Sequence, residues 1–141
     1  MNIIIRNMNV DDYNNLLILW KSCEGIGFNE IDDSIYGIER FLSRNPDTCF
    51  VAIKNSAIIG SIMAGHDGRR AHIYHLAVRS HYRREGIAGR LLENTINQLK
   101  MHNILKISLV VFKQNVDGNQ FWEKSGFKAR PDLVYRDKFI L

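Results

Sequence analysis

Arginine and small residues are concentrated in one short stretch, and their chemistry suits an anionic ligand. Six arginines but only one acid lie between residues 69 and 90. Within that stretch, Gly86, Ala88 and Gly89 leave the main chain accessible and stand directly before an apolar helical pattern. The N-terminus of a helix presents unpaired backbone N–H groups and the positive end of its dipole. We therefore expect the turn at residues 83–90 to bind phosphate or a similar anion.

Two well-known phosphate-binding patterns are absent from this stretch. No Gly-Lys-Ser/Thr follows the glycines, which excludes a P-loop. Gly86 and Gly89 lack the first of the three glycines that mark a dinucleotide-binding turn. The sequence instead has Arg-x-x-Gly-x-Ala over Arg83–Ala88, after Leu76-Ala77-Val78 and before an apolar helix. This arrangement resembles the acetyl-CoA motif of the GNAT superfamily of N-acetyltransferases, in their small single-domain bacterial form.

The resemblance implies acetyl-CoA as cofactor, with CoA as product. In GNAT enzymes the turn amides wrap the CoA pyrophosphate, and the preceding strand lies along the pantetheine arm. A second pattern, Asn115-x-x-Gly118-x-x-Phe121-Trp122, resembles the C-terminal GNAT signature, in which the Asn bonds that arm. Capping of a helix is an alternative role for Asn115. The cofactor-binding residues implied by the two motifs are Leu76, Ala77, Val78, Arg83, Arg84, Glu85, Gly86, Ile87, Ala88, Gly89, Arg90, Asn115 and Trp122.

Trp122 departs from the family pattern. Many GNAT enzymes carry a tyrosine at this position, and its hydroxyl protonates the departing CoA thiolate. An indole N–H is a donor with no practical acidity. Either another group replaces the usual acid, or the thiolate leaves unassisted because thiols are modest acids.

The reaction that the resemblance implies needs a neutral amine next to a polarised thioester carbonyl. A backbone N–H near Leu76, at the end of a predicted strand, is the expected donor to the carbonyl oxygen. Strict alternation would place His72, Tyr74 and Leu76 on one face of that strand, with His75 on the other face.

His72 is the predicted general base. Several GNAT enzymes carry a Glu or His at the matching position, where it draws a proton from the amine through water. An imidazole has an ordinary pKa of about 6.5, which suits a base near neutral pH. His75 and His66 are alternative bases, and Tyr74 is a candidate proton donor in place of the missing tyrosine. The predicted catalytic residues are His72, Tyr74 and Leu76.

The apolar periodicity predicts the elements that position these residues. Asn9 and Asp12 form a capping-box pattern before the first helix, and Asp33 or Ser34 precedes the second. The patterns predict strands over 2–6, 48–54, 57–65, 71–78, 104–112 and part of 127–141, and later helices over 87–101 and 115–125. The run at 104–112 is almost continuously apolar, which is typical of a central strand covered on both faces.

This order of elements is that of the GNAT fold. It predicts an α/β (α+β) protein in which a mixed central sheet of six to seven strands has helices on both faces. We expect residues 1–141 to form a single N-acetyltransferase domain, a length that suits one core.

Composition narrows the class of protein. With 45% hydrophobic and 24% charged residues, the chain is typical of soluble globular proteins, and no apolar run approaches the ~20 residues of a membrane span. The first residues lack a signal-peptide pattern, and Cys23 and Cys49 have no metal or redox spacing. We expect a cytoplasmic monomer or homodimer that binds no metal and no membrane.

The uneven charge bears on the partners. Residues 1–50 hold four basic residues and eight acids, so a cationic amine would meet a favourable field there. We expect the amine to be guided by acids in or beside the loop at 24–33, namely Glu24, Glu30, Asp32 and Asp33. The acceptor stays open between a small amine, a polyamine, a lysine and a peptide N-terminus.

A non-enzymatic protein is the alternative. The arginine-rich turn would then bind an acyl-CoA for sensing, or a nucleic acid. Residues outside 69–90 carry a net charge of −1, and no aromatic residues alternate with basic ones as in a base-stacking surface. The sequence therefore argues against a nucleic-acid partner, but it does not exclude an acyl-CoA sensor.

Overall fold

The computed structural model describes residues 2–23 and 26–141. Contacts divide the chain into two compact units, Met1–Val110 and Val111–Leu141. Among the described residues, the first unit holds one five-stranded sheet and three α-helices, and the second holds one α-helix. That all 141 residues form one domain stays a prediction.

The sheet of the first unit is mixed, as predicted. Its strands are β1 (Ile4–Asn7), β2 (Cys49–Lys54), β3 (Ala57–His66), β4 (Ala71–Val78) and β5 (Ile107–Leu109). They lie side by side in the order β1-β2-β3-β4-β5, antiparallel as far as β4, while β5 is parallel to β4. Asn55 and Ser56 have φ values of 51° and 64°, which is the geometry of a tight two-residue hairpin between β2 and β3.

Helices cover both faces of this sheet. The helices of the unit are α1 (Tyr13–Ser22), α2 (Ile35–Arg44) and α3 (Ile87–Met101). On one face, Trp20 of α1 donates its indole N–H to Ser61 Oγ of β3 at 3.0 Å. On the other face, the Ile87 and Leu91 side chains of α3 lie against Gly60. Because Gly60 and Ser61 are successive residues of β3, α1 and α3 pack on opposite faces, and the predicted layers are confirmed.

The starts of α1 and α2 follow local sequence signals. Asn9 and Asp12 form the predicted capping box around a 3₁₀ turn at Val10–Asp12, directly before α1. Ser34 caps α2, and its Oγ accepts the Gly37 N–H at 3.2 Å. Both starts therefore satisfy exposed N–H groups with side chains close in sequence.

Two strand predictions are wrong. The apolar run at 104–112 forms only the three residues of β5, which lies at an edge of the sheet and has half-buried and exposed side chains. Leu105 in that run is 95% exposed. Residues 127–141 contain no strand, so the described chain has five strands and not six or seven. Apolar composition favours a strand, but strands also require a partner with unpaired main-chain groups, which composition does not supply.

The second unit is built on α4 (Val116–Lys124). Asn115 Oδ1 accepts the Gly118 N–H at 2.9 Å and caps the helix. Gly126 follows the helix with φ +91°, the left-handed conformation predicted for it. The helix at 115–125 was therefore predicted correctly, and the chain after Gly126 has no regular secondary structure.

Candidate active site

A β-bulge in β4 decides which of its side chains share a face. Met63 of β3 pairs with His75, and the next residue, Ala64, pairs with Ile73. Tyr74 is therefore an extra residue in β4. A bulge of this kind interrupts the alternation of side chains and re-aims them.

Tyr74 and His75 point to the same face of the sheet as a result. The His75 ring stacks on Trp20 of α1, with centroids 5.0 Å apart and planes 28° apart. The Tyr74 ring meets Phe41 of α2 edge-on at 5.4 Å. Trp20 belongs to the core beneath α1 and α2, and Phe41 packs against that core. The prediction that Tyr74 and His75 lie on opposite faces is wrong, because strict alternation does not hold across a bulge.

His72 lies next to Tyr74 and is half-buried. The two ring centroids are 4.6 Å apart, and His72 Nδ1 is 3.2 Å from Ser108 Oγ of β5. Burial lowers the pKa of the His72 imidazole from its ordinary value of 6.5. The Tyr74 side chain is 55% exposed. β4 thus presents the neutral imidazole of His72 beside the exposed phenol of Tyr74. The imidazole can accept a proton, and the phenol can donate one.

The end of β4 leads directly into the arginine-rich turn. Leu76 is half-buried opposite Ile62 of β3, and Ala77 and Val78 are buried. The Arg83 side chain folds back on this strand, and its Nε donates to Val78 O at 3.1 Å. The turn is therefore fastened to the strand that carries the candidate oxyanion donor.

The turn itself is open at the start of α3. Arg84 and Gly86 have φ values of 63° and 80°, and residues 83–86 are exposed. Gly86 is the N-cap of α3, and no side-chain hydrogen bond caps this helix. A Cβ atom built on Gly86 or on Gly89 would meet nothing within 4 Å. Ile87, in contrast, is buried and Ala88 half-buried, so one side of the first turn packs while the other is accessible.

These features fit phosphate groups. An uncapped helix N-terminus offers unpaired N–H donors and a positive dipole end. Glycine at two positions allows a ligand to approach the main chain closely. The donor set of residues 83–90 is therefore suited to the pyrophosphate of a nucleotide cofactor.

Three of the arginines around the turn have partners that the sequence did not reveal. Arg79 Nε donates to Ile58 O at 3.1 Å, and Arg90 donates to Ile3 O at 3.4 Å, in addition to the Arg83 bond to Val78. These bonds hold the turn against β3, β4 and the residue that precedes β1. Charge counting alone would assign all of these guanidinium groups to a ligand.

The acidic loop before α2 is closed by one of its own carboxylates. Asp33 is buried, and its Oδ2 accepts the Asn29 N–H at 2.8 Å. Its Oδ1 lies 2.9 Å from Nε2 of His75 in β4. This pair was missed by sequence reasoning, because 42 residues separate its members and alternation placed His75 away from the site. Asp33 is therefore not a solvent-exposed guide for a substrate.

A cleft of about 240 Å³ lies between α1 and this loop. Tyr13 and Lys21 line it from α1, and Phe28 and Glu30 from the loop. Burial, and then the negative charges of Asp33 and Glu30, raise the pKa of the Tyr13 hydroxyl. Carboxylate charge therefore lies near the Tyr13 end of the cleft, and Lys21 adds positive charge to its wall. Of the other predicted acids, Asp32 is exposed, and Glu24 lies outside the described residues.

The two predicted residues of the second unit have local partners. Asn115 serves as the cap of α4, as its alternative role predicted. The Trp122 ring meets Phe121 at 5.0 Å and Phe127 at 5.1 Å, both edge-on. This aromatic cluster supports α4 from within the unit, in line with the family pattern of an aromatic pair followed by Gly-Phe.

Residues 2–23 and 26–141 offer neither a metal site nor a membrane span. No group of three or more His, Cys, Asp or Glu side chains is arranged there to hold a metal ion. None of the helices in these ranges is long and apolar enough to span a bilayer. Burial raises the pKa of the Cys49 thiol to about 12, which makes it inert as a nucleophile.

Comparison with solved structures supports the fold. The N-acetyltransferase PaiA of Thermoplasma acidophilum, solved with coenzyme A, superposes with a TM-score of 0.82 over 92% of each chain, at 22% identity. The enzyme AAC(6')-Iy, solved with the bisubstrate analogue CoA-S-monomethyl-acetylneamine, has a TM-score of 0.77 and 16% identity. The match covers 99% of this chain and 100% of that enzyme. At these identities the likeness shows the fold alone, and the predicted GNAT fold is confirmed.

Sequence comparison shows the family. An acetyltransferase of Sodalis glossinidius is 31% identical over 137 residues, which cover 97% of this chain and 95% of the relative. The family model described as "Acetyltransferase (GNAT) family" matches residues 13–127. That range includes β4, the arginine-rich turn, α3 and α4. The chain belongs to the GNAT family of acetyltransferases.

Proposed function

We propose that this GNAT acetyltransferase moves the acetyl group of acetyl-CoA directly to a primary amine while both substrates are bound. Membership of the family supports acetyl transfer. The observation that carries the cofactor assignment is the uncapped, glycine-lined start of α3 beside the arginines of the turn. Bound acetyl-CoA would supply an activated thioester, and the chain would supply position and proton transfer.

Residues 83–90 would hold the phosphates of the cofactor. The exposed side of the turn supplies backbone N–H groups, and Arg84 adds positive charge. Leu76, Ala77 and Val78 would place the strand beside the thioester, with the Leu76 N–H directed at the carbonyl oxygen. The assignment of Asn115 and Trp122 to the cofactor stays a prediction.

His72 would act as the base. If its Nδ1–H donates to Ser108 Oγ, its Nε2 lone pair is available to take a proton from the amine through water. Because burial lowers its pKa, the ring stays neutral at pH 7. Tyr74, whose ring is 4.6 Å from that of His72, would protonate the departing thiolate.

The acceptor would enter beside the acidic loop. Glu30 lines the cleft next to Tyr13, where a carboxylate can pair with an ammonium group away from the reacting nitrogen. This favours an acceptor with a second positive charge. Lys21 lines the same cleft and would disfavour acceptors that carry positive charge along their whole length.

A thiol-release assay with four amines tests the proposal. Spermidine, neamine, a lysine peptide and a peptide with N-terminal alanine represent the acceptor classes. We expect thiol release from acetyl-CoA that depends on at least one of them. Acetyl-CoA binding with no amine-dependent release would contradict acetyl transfer to these classes and favour an acyl-CoA sensor.

His72→Ala tests the base in the same assay. We expect a lower kcat with unchanged acetyl-CoA affinity. In the unaltered enzyme the rate should fall only at pH values below about 6.5, because a base with a lowered pKa loses its proton-accepting form there. This acidic limb should disappear in the variant. An identical pH profile in both proteins would assign the proton transfer to another group.

A further inference from the structure

A buried carboxylate–imidazole pair joins the acidic loop to β4. Asp33 Oδ1 and His75 Nε2 are 2.9 Å apart, and the two side chains are 10% and 5% exposed. His75 Nδ1 is buried and has no hydrogen-bond partner among the described residues. Within the described part of the chain, Asp33 is therefore the only polar anchor of this ring, and an ionised carboxylate as acceptor assigns the proton of the bond to Nε2.

The carboxylate of this pair also closes the loop. Asp33 Oδ2 accepts the Asn29 N–H, and the Asp33 N–H donates to Asn29 O at 2.7 Å. The Tyr13 hydroxyl donates to Asp33 O at 2.8 Å. Phe28 and Glu30, which line the cleft, lie within or next to this closed segment. The position of the cleft wall thus depends on Asp33.

The imidazole of the pair belongs to the strand where the reaction is proposed to occur. His75 lies between Tyr74 and Leu76, next to the extra residue of the bulge. Its ring stacks on Trp20, which is fully buried and bonded to Ser61. Because β4 is held by β3 on one side and by Trp20 on its face, His75 is a fixed point. The described loop residues 26–33, in contrast, pair with no strand.

The surroundings of this pair indicate that it fixes the position of the loop relative to β4 more than it adds to the stability of the fold. The ring lies among apolar residues of the core, where well-packed apolar side chains are often as stable as a buried charged pair. A single directional hydrogen bond, however, fixes the distance and orientation of the loop relative to the strand, which apolar contacts do not.

We propose that Asp33 and His75 are positioning residues that set the acceptor side of the active site relative to the acetyl-transfer side. The bond holds the cleft wall at Phe28 and Glu30 in register with Tyr74 and Leu76. This inference rests on the proposed function for the roles of the two sides. Neither residue touches the reacting atoms, so both act through the loop.

Two substitutions at position 75 distinguish the effect of the hydrogen bond to Asp33 from the effect of ring packing on Trp20. His75→Phe keeps a ring on Trp20 and removes the donor to Asp33. His75→Gln loses the ring and keeps an N–H donor near the position of Nε2. Ser61→Ala is the matched control, since it removes a buried hydrogen bond to Trp20 on the same face but none to the loop. His75→Leu also removes the donor to Asp33 and replaces H75F if that variant does not fold.

Amide hydrogen exchange followed by NMR tests the link without any substrate. We expect H75F to speed exchange at Asn29 and Asp33 by about tenfold or more, as loss of a hydrogen bond to a charged group implies. H75Q should restore much of the protection, and S61A should leave the loop amides as they are. Unchanged exchange at Asn29 and Asp33 in H75F would overturn the proposal.

Kinetics with the best amine of the panel test the coupling. We expect H75F to raise KM for the amine about tenfold, while kcat and the Kd for CoA change less than about twofold. Equal losses in H75F and S61A would show a purely structural role and contradict the inference. If no amine of the panel reacts, the proposed function fails, and the exchange experiment still decides whether the link holds the loop.

Discussion

α2 and α3 both carry a glycine at their third helical position, and the two glycines stand in opposite surroundings. A Cβ atom on Gly37 of α2 would collide with the Asp32 carbonyl group, whereas a Cβ atom on Gly89 of α3 would meet nothing within 4 Å. The start of α2 is also capped by Ser34, and the start of α3 has no side-chain cap. One helix start is closed by its own chain, and the other is open.

This difference indicates that Gly37 is required for packing, whereas Gly89 is not. Gly37 is small because main chain of the preceding loop packs against it. No such neighbour explains Gly89, although glycine costs about 1 kcal/mol relative to alanine inside a helix. The proposed cofactor, approaching the main chain at this turn, would account for both the glycine and the missing cap. α4 resembles α2, since a Cβ atom on Gly118 would meet the side chain of its cap, Asn115.

Exchanging each glycine for alanine should change the stability of the protein in opposite directions at the two positions. Gly37→Ala should lower the free energy of unfolding by about 3 kcal/mol, because the loop main chain cannot move away cheaply. Gly89→Ala should raise it by up to about 1 kcal/mol through helix propensity. Urea denaturation measures both changes. Similar stability losses in the two variants would show that Gly89 is also packed by the chain.

A larger side chain at Gly89 should separate binding from folding. Gly89→Leu places four carbon atoms where the cofactor phosphates are proposed to lie, so the Kd for CoA should rise about 100-fold or more. Melting without ligand should not decrease, because leucine favours a helix. Asn97→Leu, at an exposed position of the same helix, is the control and should keep its affinity for CoA. Retained affinity in G89L would move the phosphate site away from this turn.

Asp12 helps to cap the turn that precedes α1, and replacing it should change the stability of the protein in a pH-dependent way. Its carboxylate accepts Arg6 at 2.7 and 2.9 Å and the Asn9 N–H at 2.9 Å. Burial acts to raise the pKa of Asp12, but these bonds outweigh it, and the pKa lies below its ordinary value of 3.8. We expect Asp12→Asn to lower the free energy of unfolding by about 1.5 kcal/mol at pH 7.

The pH dependence of that loss of stability follows from the direction of the Asp12 pKa shift. A carboxyl group with a lowered folded-state pKa stabilises the fold above its unfolded pKa and loses that effect as the pH falls through the folded value. The difference between the unaltered protein and D12N should therefore be constant near neutral pH and shrink below about pH 4. A difference that persists in full at pH 2 would assign it to packing.

Ser34 should give the smallest of these effects. Ser34→Ala removes the hydroxyl that accepts the Gly37 N–H, which should lower the free energy of unfolding by about 1 kcal/mol. CoA affinity should stay as it is, since the closed start of α2 takes no part in phosphate binding. Calorimetry with and without CoA measures both quantities. A loss of CoA affinity in S34A would undo the distinction between the two helix starts.

Local sequence patterns were sufficient to predict several helices and strands and the motif that resembles the GNAT family. β4 was predicted with its observed bounds, and the hairpin turn at Asn55 and Ser56 and the end of α4 at Gly126 were also correct. The start of α2 was predicted at Asp33 or Ser34, and the structure has Ser34 as the cap. Each of these depends on residues within a few positions of one another. The turn proposed to bind an anion likewise follows from adjacent residues, since a strand, glycines and a helix start are all recognisable locally.

Contacts between side chains of distant segments depend on the tertiary structure. The bulge at Tyr74 depends on the register of β4 against β3, and it turned His75 toward Trp20 and Asp33. The place of β5 at an edge of the sheet likewise depends on which strands are available to pair. Backbone propensity and alternation act along the chain, whereas strand register and buried pairs are set by packing between segments tens of residues apart, which no local pattern encodes.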